Sequence, residues 1–282
     1  MLAVSEAAND MRMSQLVRTI ENEIIPRLML AHRVVAEAPA AVSGDPAIAR
    51  ADVEHFAKLM LAHDEEPSFE AVMSYRARGV SIERLYLDLL APAARYLGDL
   101  WNEDLCTFTD VTVGLGRLQR VLRELSPAFG SLVDHPAAGR NVLLLPTPGE
   151  QHTFGLVIVG EFFRRAGWSV SGAGWCSGAD AGSLVAAEWF DAIGFSLGAE
   201  IHRDALAETI RAVKHESCNR DIVVLVGGPL FAQHPGHVEA VGADGMTMDG
   251  RDAPLLAERL IARDSTMRAS RRVKEPAGRS SS

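Results

Sequence analysis

The sequence predicts an α/β protein in which an N-terminal helical bundle is followed by a five-stranded parallel sheet. Up to residue 130, apolar residues recur every three or four positions, which is the spacing of packed helices. From residue 140 to 262, short apolar runs of strand length alternate with helical segments. Between the two parts, Gly130, Pro136 and Gly139 give the composition of a linker.

The first half, residues 1–130, is interpreted as a helical cap domain. Three helices are predicted at 13–37, 46–62 and 67–77, and Pro67 starts the third of them. A fourth helix follows the N-cap residue Ser81. Its apolar positions are Ile82, Leu85, Leu89, Ala93, Tyr96 and Leu100. A fifth helix carries a packing seam with alternating steps of three and four residues. The seam is formed by Phe108, Val111, Leu115, Leu118, Leu122 and Leu125.

The second half is interpreted as a sheet domain covering residues 140–262. The predicted strands are 141–145, 168–173, 191–196, 221–226 and 244–247. The predicted helices are 153–166, 179–189, 203–216, 236–241 and 251–262. Because each strand–helix unit is short, the sheet should be parallel, with helices on both faces. This rhythm indicates a flavodoxin-like (Rossmann-like) domain, whose ligands bind beyond the carboxyl ends of the strands.

The charge and cysteine content bear on partners and location. The chain has 28 basic and 37 acidic residues, so its net charge of −9 does not favour a phosphate-binding face. Residues 263–282 hold six basic and two acidic residues and are predicted to be a disordered basic tail. Three scattered cysteines indicate a reducing compartment, and Met1–Met13 lacks the features of a secretory signal. We therefore expect a cytoplasmic protein without membrane association.

Three groups of candidate site residues follow the first, third and fourth predicted strands. They are the loop around Glu150 and His152, the segment Ser196-Leu197-Gly198, and the pair Gly227-Gly228. Because the carboxyl ends of parallel strands meet at one edge of a sheet, we expect these groups to lie together. The candidate residues are Gly149, Glu150, His152, Thr153, Phe154, Gly155, Ser196, Gly198, Gly227 and Gly228.

These residue types suit a macrocyclic metal cofactor better than a bare metal ion. A loop imidazole such as His152 can bind a metal through one ring nitrogen, while Glu150 can hold the N–H of the other. One histidine does not satisfy zinc, which takes three or four protein ligands. A macrocycle that carries its own equatorial ligands needs only one axial donor, and glycines at the strand ends would open a slot for it.

A second motif in the same region points to an enzyme but lacks its context. Gly194–Gly198 matches the G-x-S-x-G nucleophile elbow of hydrolases. The elbow requires a helix directly after the serine, with an acid and then a histidine further along the chain. Here His234 and His237 precede Asp244, which is the wrong order. We therefore do not predict a hydrolase, and we expect a protein without catalytic turnover.

The motifs E-x-H-x-x-G, S-x-G and G-G, at these spacings, resemble the cobalamin-binding domain of methionine synthase and its relatives. The family pattern is D-x-H-x-x-G, S-x-L and G-G. In that family the dimethylbenzimidazole tail of the cofactor leaves cobalt and fills the slot, and the histidine becomes the lower cobalt ligand. The resemblance implies cobalamin as cofactor and His152 as metal ligand. Glu150 stands where the family has Asp, and Gly198 where it has Leu.

The helical half resembles the cap of light-responsive cobalamin regulators, over Leu89–Trp101 and Asp110–Leu118. The whole arrangement is similar to the PpaA/AerR antirepressors of purple photosynthetic bacteria, also described as heme-or-cobalamin sensor domains. The resemblance implies that Trp101 covers the upper face of the corrin. The related photosensors carry a Glu-His pair shortly after this Trp, where the present sequence has Val111-Thr112.

The resemblance implies a transcriptional antirepressor that responds to light or redox state through adenosyl-, methyl- or hydroxocobalamin. Its partner would be a PpsR/CrtJ-type repressor of photosynthesis genes. The sequence shows no helix-turn-helix, so we expect action through another protein rather than strong direct binding to nucleic acid. Two alternatives stay open, namely a corrinoid methyl-carrier protein of a methyltransferase system and a heme-binding sensor that uses the same slot.

Overall fold

A computed structural model describes residues 47–62, 66–130, 139–172 and 180–274. The helix predicted at 13–37 lies outside these residues. The helices of the first half are α1 (Arg50–Leu61), α2 (Glu66–Ala77), α3 (Ile82–Arg84), α4 (Ala91–Asn102) and α5 (Phe108–Gly130). The helices of the second half are α6 (Phe154–Arg165), α7 (Ala181–Ala187), α8 (Arg203–Glu216), α9 (Pro229–Gln233), α10 (His237–Ala240) and α11 (Ala253–Lys274).

The fourth predicted helix is present but contains a π-helical segment, Leu85–Leu90, between α3 and α4. The hydroxyl of Ser81 accepts the backbone N–H of Arg84 at 3.2 Å, which confirms the predicted N-cap. Pro92 lies in the first turn of α4 and has no N–H to donate. The π segment ends where this missing donor would interrupt a regular α-helical ladder.

The helical half buries the predicted apolar faces in one core. Leu85, Leu89 and Ala93 are fully buried there, together with Leu118 and Leu122 of α5. Phe108 was predicted to belong to this seam, but 45% of its surface is exposed. It begins α5, and its ring lies 6.0 Å from that of Trp101, measured between centroids.

The second half is a five-stranded parallel sheet in the order β2-β1-β3-β4-β5, which confirms the predicted flavodoxin-like topology. The strands are β1 (Asn141–Pro146), β2 (Ser169–Gly172), β3 (Ala192–Ser196), β4 (Val223–Gly227) and β5 (Gly245–Met246). Alternate residues of β1 point to opposite faces. Val142 and Leu144 pack with α6 and α11, whereas Leu143 and Leu145 pack with α7, α8 and α9.

The last helix corrects one prediction. α11 continues to Lys274, so the predicted helix end at 262 is wrong, and residues 263–274 are helical rather than a disordered tail. Residues 263–274 contain no glycine or proline, and Pro276 and Gly278 follow them. Without a breaker, each added residue extends the hydrogen-bond ladder of an existing helix at little cost. Residues 275–282 of the predicted tail lie outside the described part of the chain.

Helix α6 joins the helical half to the sheet. One side of it packs on the sheet through Leu156 and Phe163, and the other side packs on the helical core through Ile158 and Phe162. Near its end the contacts become polar. The carboxylate of the buried Glu161 accepts a hydrogen bond from Ser126 of α5 and pairs with Arg164.

A second polar contact between the two halves lies at the same end of α6. The guanidinium of Arg165 is 2.8 Å from the carboxylate of Glu83 and stacks 4.8 Å from the ring centroid of Phe129. Arg251, which follows β5, lies 3.5 Å from the other oxygen of Glu83. Within the described ranges, no helix of the protein is long and apolar enough to cross a membrane.

Candidate functional site

The predicted site residues meet at the switch point of the sheet, between β1 and β3. In a 2-1-3-4-5 sheet the chain leaves these neighbouring strands in opposite directions, which opens a crevice at their carboxyl ends. Pro146 of β1 is in register with Ser196 of β3, and Ser196 is in register with Gly227 of β4. The three loops that follow these residues therefore begin side by side, as the sequence predicted.

The carboxylate of Glu150 connects two of the loops. One oxygen, Oε1, accepts the backbone N–H groups of Gln151 at 2.9 Å and His152 at 3.0 Å, and lies 2.5 Å from Nδ1 of His152. The other oxygen, Oε2, accepts the backbone N–H of Gly198 at 2.7 Å. Only 7% of Glu150 is exposed. The carboxylate thus holds the imidazole and the loop after β3 in one hydrogen-bonded unit.

This arrangement determines which nitrogen of His152 is available to a metal. A carboxylate can only accept hydrogen bonds, so Nδ1 must donate its proton to Glu150. In the neutral ring the lone pair then lies on Nε2, which is shielded from solvent. A carboxylate behind the ring also makes Nε2 a more basic ligand. The longer side chain of Glu at position 150 still makes the contact that the family pattern assigns to Asp.

The pKa of Glu150 shows how strongly the site favours the carboxylate form. Burial alone would raise the pKa, but the hydrogen bond and positive charge of His152 and the N–H groups of His152 and Gly198 lower it to about 2. The carboxyl therefore stays ionised over the whole physiological range. The stabilisation that it contributes is present above the usual value near 4.5 and is lost as the pH falls toward 2.

We expect Glu150→Gln to retain cobalamin but to weaken its binding by about 10–100-fold, because the amide replaces an ionised hydrogen-bond partner of the ligand. The free energy of unfolding should be lower than in wild type at pH 6, and the difference should shrink below about pH 4.5, where unfolded wild type begins to take up this proton. Urea titrations of both proteins between pH 6 and pH 3 measure this difference in the free energy of unfolding. A difference that stays constant with pH would contradict the assigned role of Glu150.

The glycines after β4 bring that loop against the loop after β3. Gly228 has φ +106°, and a Cβ built on it would lie 2.5 Å from the carbonyl oxygen of Leu197. The backbone N–H of Leu197 in turn donates to the carbonyl of Gly227 at 3.0 Å. A side chain at 228 would therefore collide with the loop that carries Gly198. At Gly227 a Cβ would lie 3.4 Å from the carbonyl oxygen of Thr247, which is an ordinary contact.

The remaining predicted residues occupy different surroundings. Thr153 precedes α6 without a side-chain capping hydrogen bond, and Phe154 packs partly against the helical core. Gly155 is exposed, and a Cβ there would meet nothing within 4 Å, so the first turn of α6 presents open space. The backbone carbonyl of Ser196 accepts the hydroxyl of Thr147 at 2.8 Å. The backbone of Ser196 therefore helps to connect the ends of β1 and β3 at the site.

Trp101 lies in the helical half, at the end of α4. It is half-buried, packs against the helical core and has Phe108 as its aromatic neighbour. The structure therefore places it at the edge of the cap. Its predicted role over the corrin stays a prediction.

Two residues outside the candidate set also shape the site. Thr147 is buried, and both its N–H and its hydroxyl donate to the carbonyl of Ser196, which ties β1 to β3 at the site. His202 packs its ring against Gly149. Thr147-Pro148-Gly149 could have been recognised as a turn from its Pro-Gly pair. His202 follows Ser196 by six residues, near the start of a predicted helix, which suggests a place close to the site but not its contact with Gly149.

The site does not form a bare-metal centre. Across the described residues, no group of three or more His, Cys, Asp or Glu side chains is placed to hold a metal ion. His234 and His237 stack with their ring centroids 5.2 Å apart after β4.

Comparisons with known proteins agree with this site. The family model of the B12 binding domain matches residues 140–257. The chain is 31% identical over 175 residues to the "Uncharacterized 20.5 kDa protein in bchF-crtJ intergenic region" of Rhodobacter capsulatus. That match covers 62% of this chain and 91% of the relative.

A solved structure shares the fold. The monomethylamine corrinoid protein of Methanosarcina barkeri superposes with a TM-score of 0.58 at 15% identity, covering 73% of this chain and 96% of that one. A cobalamin-binding protein of Desulfitobacterium hafniense aligns with a TM-score of 0.39 at 19% identity, covering 74% and 98% of the two chains. The superposition with the methanogen protein confirms the combination of a helical half and a parallel sheet.

The family model covers the three loops at the switch point, and the Rhodobacter relative is matched over nearly its whole length. Both findings agree with the motifs that predicted a B12-binding domain. The chain therefore belongs to the family of the Rhodobacter capsulatus protein, the cobalamin-binding proteins of the PpaA/AerR type.

Proposed function

We propose that this protein is a non-catalytic, cobalamin-binding sensor of light or redox state that acts as a transcriptional antirepressor. It would bind cobalamin through His152 and control photosynthesis genes by binding a PpsR/CrtJ-type repressor. The observation that carries the cofactor assignment is the carboxylate of Glu150, which lies 2.5 Å from Nδ1 of His152 and 2.7 Å from the N–H of Gly198.

The residues of the site fit cobalamin. Its corrin ring supplies four equatorial nitrogens to cobalt, so one protein donor with a lone pair suffices, and His152 offers Nε2. Gly155 leaves the first turn of α6 open, whereas Gly228 lies against the backbone of Leu197 and does not open the slot that the sequence predicted there. When bound, cobalamin supplies a cobalt ion whose upper ligand changes with light or redox state. The protein's own residues orient the lower imidazole and fix its proton on Nδ1.

The repressor partner is suggested by the relative. Its gene lies between bchF and crtJ, and crtJ names the repressor class that the sequence resemblance implies. A 31% identical relative at such a location favours a regulatory role over a metabolic one. We infer that the two proteins share this role.

The packing of α6 suggests how the cap could transmit a signal. Near His152 the cap meets α6 through apolar groups, namely Phe154, Val157 and Ile158. At the far end of the helix, polar contacts of Glu161 and Arg165 are added to the apolar contact of Phe162. The 12 residues of α6 separate these ends by about 18 Å. Directional polar contacts favour one geometry, so we propose that the cap pivots at the far end and moves most near the cofactor.

An absorption spectrum of purified protein mixed with cobalamin or with heme tests the cofactor assignment directly. We expect cobalamin to bind with a base-off, His-on spectrum and heme to bind weakly. Illumination should change the spectrum and the affinity for a PpsR/CrtJ-type repressor. If a partner methyltransferase removed a methyl group from bound methylcobalamin and light had no effect, the methyl-carrier alternative would replace the sensor.

Trp101→Ala should retain cobalamin, because His152 and not Trp101 would bind its cobalt. The substitution should reduce the difference in repressor affinity between dark and illuminated protein. The reason is that an upper ligand can shift the cap only if it interacts differently with its two positions. The measurement is the affinity of dark and of illuminated protein for the repressor, for wild type and variant, at fixed salt. Phe69→Ala, which removes an exposed aromatic side chain of α2, is the matched control. A full dark–light difference in Trp101→Ala would exclude the cap mechanism.

A further inference from the structure

The loop that carries Glu150 and His152 begins with a tight turn, Thr147–Glu150. The N–H of Glu150 donates to the carbonyl of Thr147 at 2.8 Å, which closes the turn. Pro148 occupies the second position, and Gly149 occupies the third with φ +87°. This is the pattern of a type II turn, in which the third residue needs a positive φ. The turn determines the direction in which the chain reaches Glu150, and hence where its carboxylate lies.

A side chain from another loop closes over this turn. A Cβ built on Gly149 would lie 2.7 Å from Cε1 and 2.8 Å from Nδ1 of His202. The imidazole of His202 therefore occupies the volume into which any other residue at 149 would extend. Gly149 is required twice, once by its backbone angle and once by the ring that covers it.

The backbone of His202 explains how its ring reaches the turn. His202 directly precedes α8, but its side chain makes no capping hydrogen bond to that helix. Its backbone N–H donates to the carbonyl of Ala199 at 3.2 Å, in the segment that follows Gly198. The loop after β3 thus holds the loop after β1 at two points. Gly198 donates to the carboxylate of Glu150, and His202 packs on Gly149.

We propose that His202 is a positioning residue for the cobalt ligand: its ring packs on Gly149 and holds the Thr147–Glu150 turn in the geometry in which Glu150 orients His152. This inference rests on the proposed ligation of cobalamin by His152. Without the ring, Gly149 regains the conformational freedom that glycine has on both sides of φ zero. A smaller fraction of the molecules then has the turn in the conformation that presents His152. The apparent affinity for cobalamin falls in proportion to this fraction.

Substitutions at 202 and 149 test the proposal. We expect His202→Ala to weaken cobalamin binding by about tenfold and to reduce the fraction bound His-on. That fraction is read from the electron paramagnetic resonance spectrum of cob(II)alamin bound to protein that carries 15N-labelled histidine. An axial 15N of histidine splits each cobalt line into two, whereas the unlabelled nitrogen of the dimethylbenzimidazole tail splits it into three. His202→Phe should stay within about threefold of wild type, because a flat ring again covers Gly149. The matched control is His215→Ala, which removes an exposed histidine near the end of α8, the helix that follows His202. This variant should bind cobalamin like wild type.

A double substitution separates packing from general damage to the fold. Gly149→Ala should bind cobalamin less tightly than any single variant at 202, because its Cβ meets the ring and its φ is unfavourable. Adding His202→Ala should restore about tenfold of the loss, because the collision is removed while the backbone cost remains. This recovery also decides the question if His202→Ala alone is unstable. No recovery would overturn the proposal.

The ligand variant distinguishes this inference from the function on which it rests. If His152→Ala loses the two-line splitting of labelled histidine while His202→Ala keeps wild-type affinity and spectrum, the ligand assignment stands and the role of His202 is wrong. If His152→Ala itself keeps the two-line splitting, the proposed ligation is wrong, and the positioning role is overturned with it.

Discussion

His152→Ala is expected to abolish the base-off, His-on spectrum of bound cobalamin and to weaken its binding more than any other substitution at the site. Loss of a residue that only orients a metal ligand costs about 10–100-fold in affinity, so loss of the ligand itself should cost at least as much. The change also leaves Glu150 buried without its strongest hydrogen-bond donor. Equilibrium titration with hydroxocobalamin, followed by absorption, measures both effects.

His234→Ala provides the control for this experiment. His234 also follows a strand of the sheet domain, but it is exposed and stacks on His237 rather than on Glu150. We expect its spectrum and affinity to match wild type. Equal behaviour of the two alanine variants would mean that His152 is not the cobalt ligand.

Gly228→Ala is expected to have the largest effect on stability among the glycines of the site. The residue has φ +106° and ψ 170°, a region that only glycine occupies readily. The added Cβ would also lie 2.5 Å from the carbonyl oxygen and 3.0 Å from the nitrogen of Leu197, so the backbone must move. Strain and displacement together should lower the free energy of unfolding by roughly 2–4 kcal/mol. The loop after β3 shifts as a result, and cobalamin binding should weaken, though less than in His152→Ala.

The matched glycine control is Gly236→Ala, in the segment between α9 and α10. Gly236 has φ −64°, and a Cβ there would meet nothing within 4 Å. Urea denaturation should therefore give a free energy of unfolding within about 0.5 kcal/mol of wild type. Wild-type stability and cobalamin affinity in Gly228→Ala would show that the loops after β3 and β4 do not depend on this close contact.

Most of the fold could be predicted from the sequence because helices and strands bury different periodic patterns. The steps of three and four along α5 predict one buried face, which packs in the helical core. The continuous apolar run of β1 predicts burial on both faces, which the helices on the two sides of the sheet provide. The π segment at Leu85–Leu90 and the extension of α11 to Lys274 could not be read in this way. The π segment depends on which backbone groups pair near Pro92, and the extension of α11 depends on continued helix propagation. Neither produces a periodic pattern of apolar residues in the sequence.

By itself, the sequence determined the topology of the sheet, the loops that meet at its switch point and the B12-binding family. Parallel strands bring the residues that follow them to one edge, so spacing along the chain already predicts neighbours in space. Only the tertiary structure decided how those neighbours contact each other. The carboxylate of Glu150 bonds to the N–H of Gly198, the backbone of Gly228 lies against Leu197, and the ring of His202 covers Gly149. These contacts join loops that are about 30 to 50 residues apart and depend on side-chain direction and backbone angles within a fraction of an ångström, which a linear pattern does not encode.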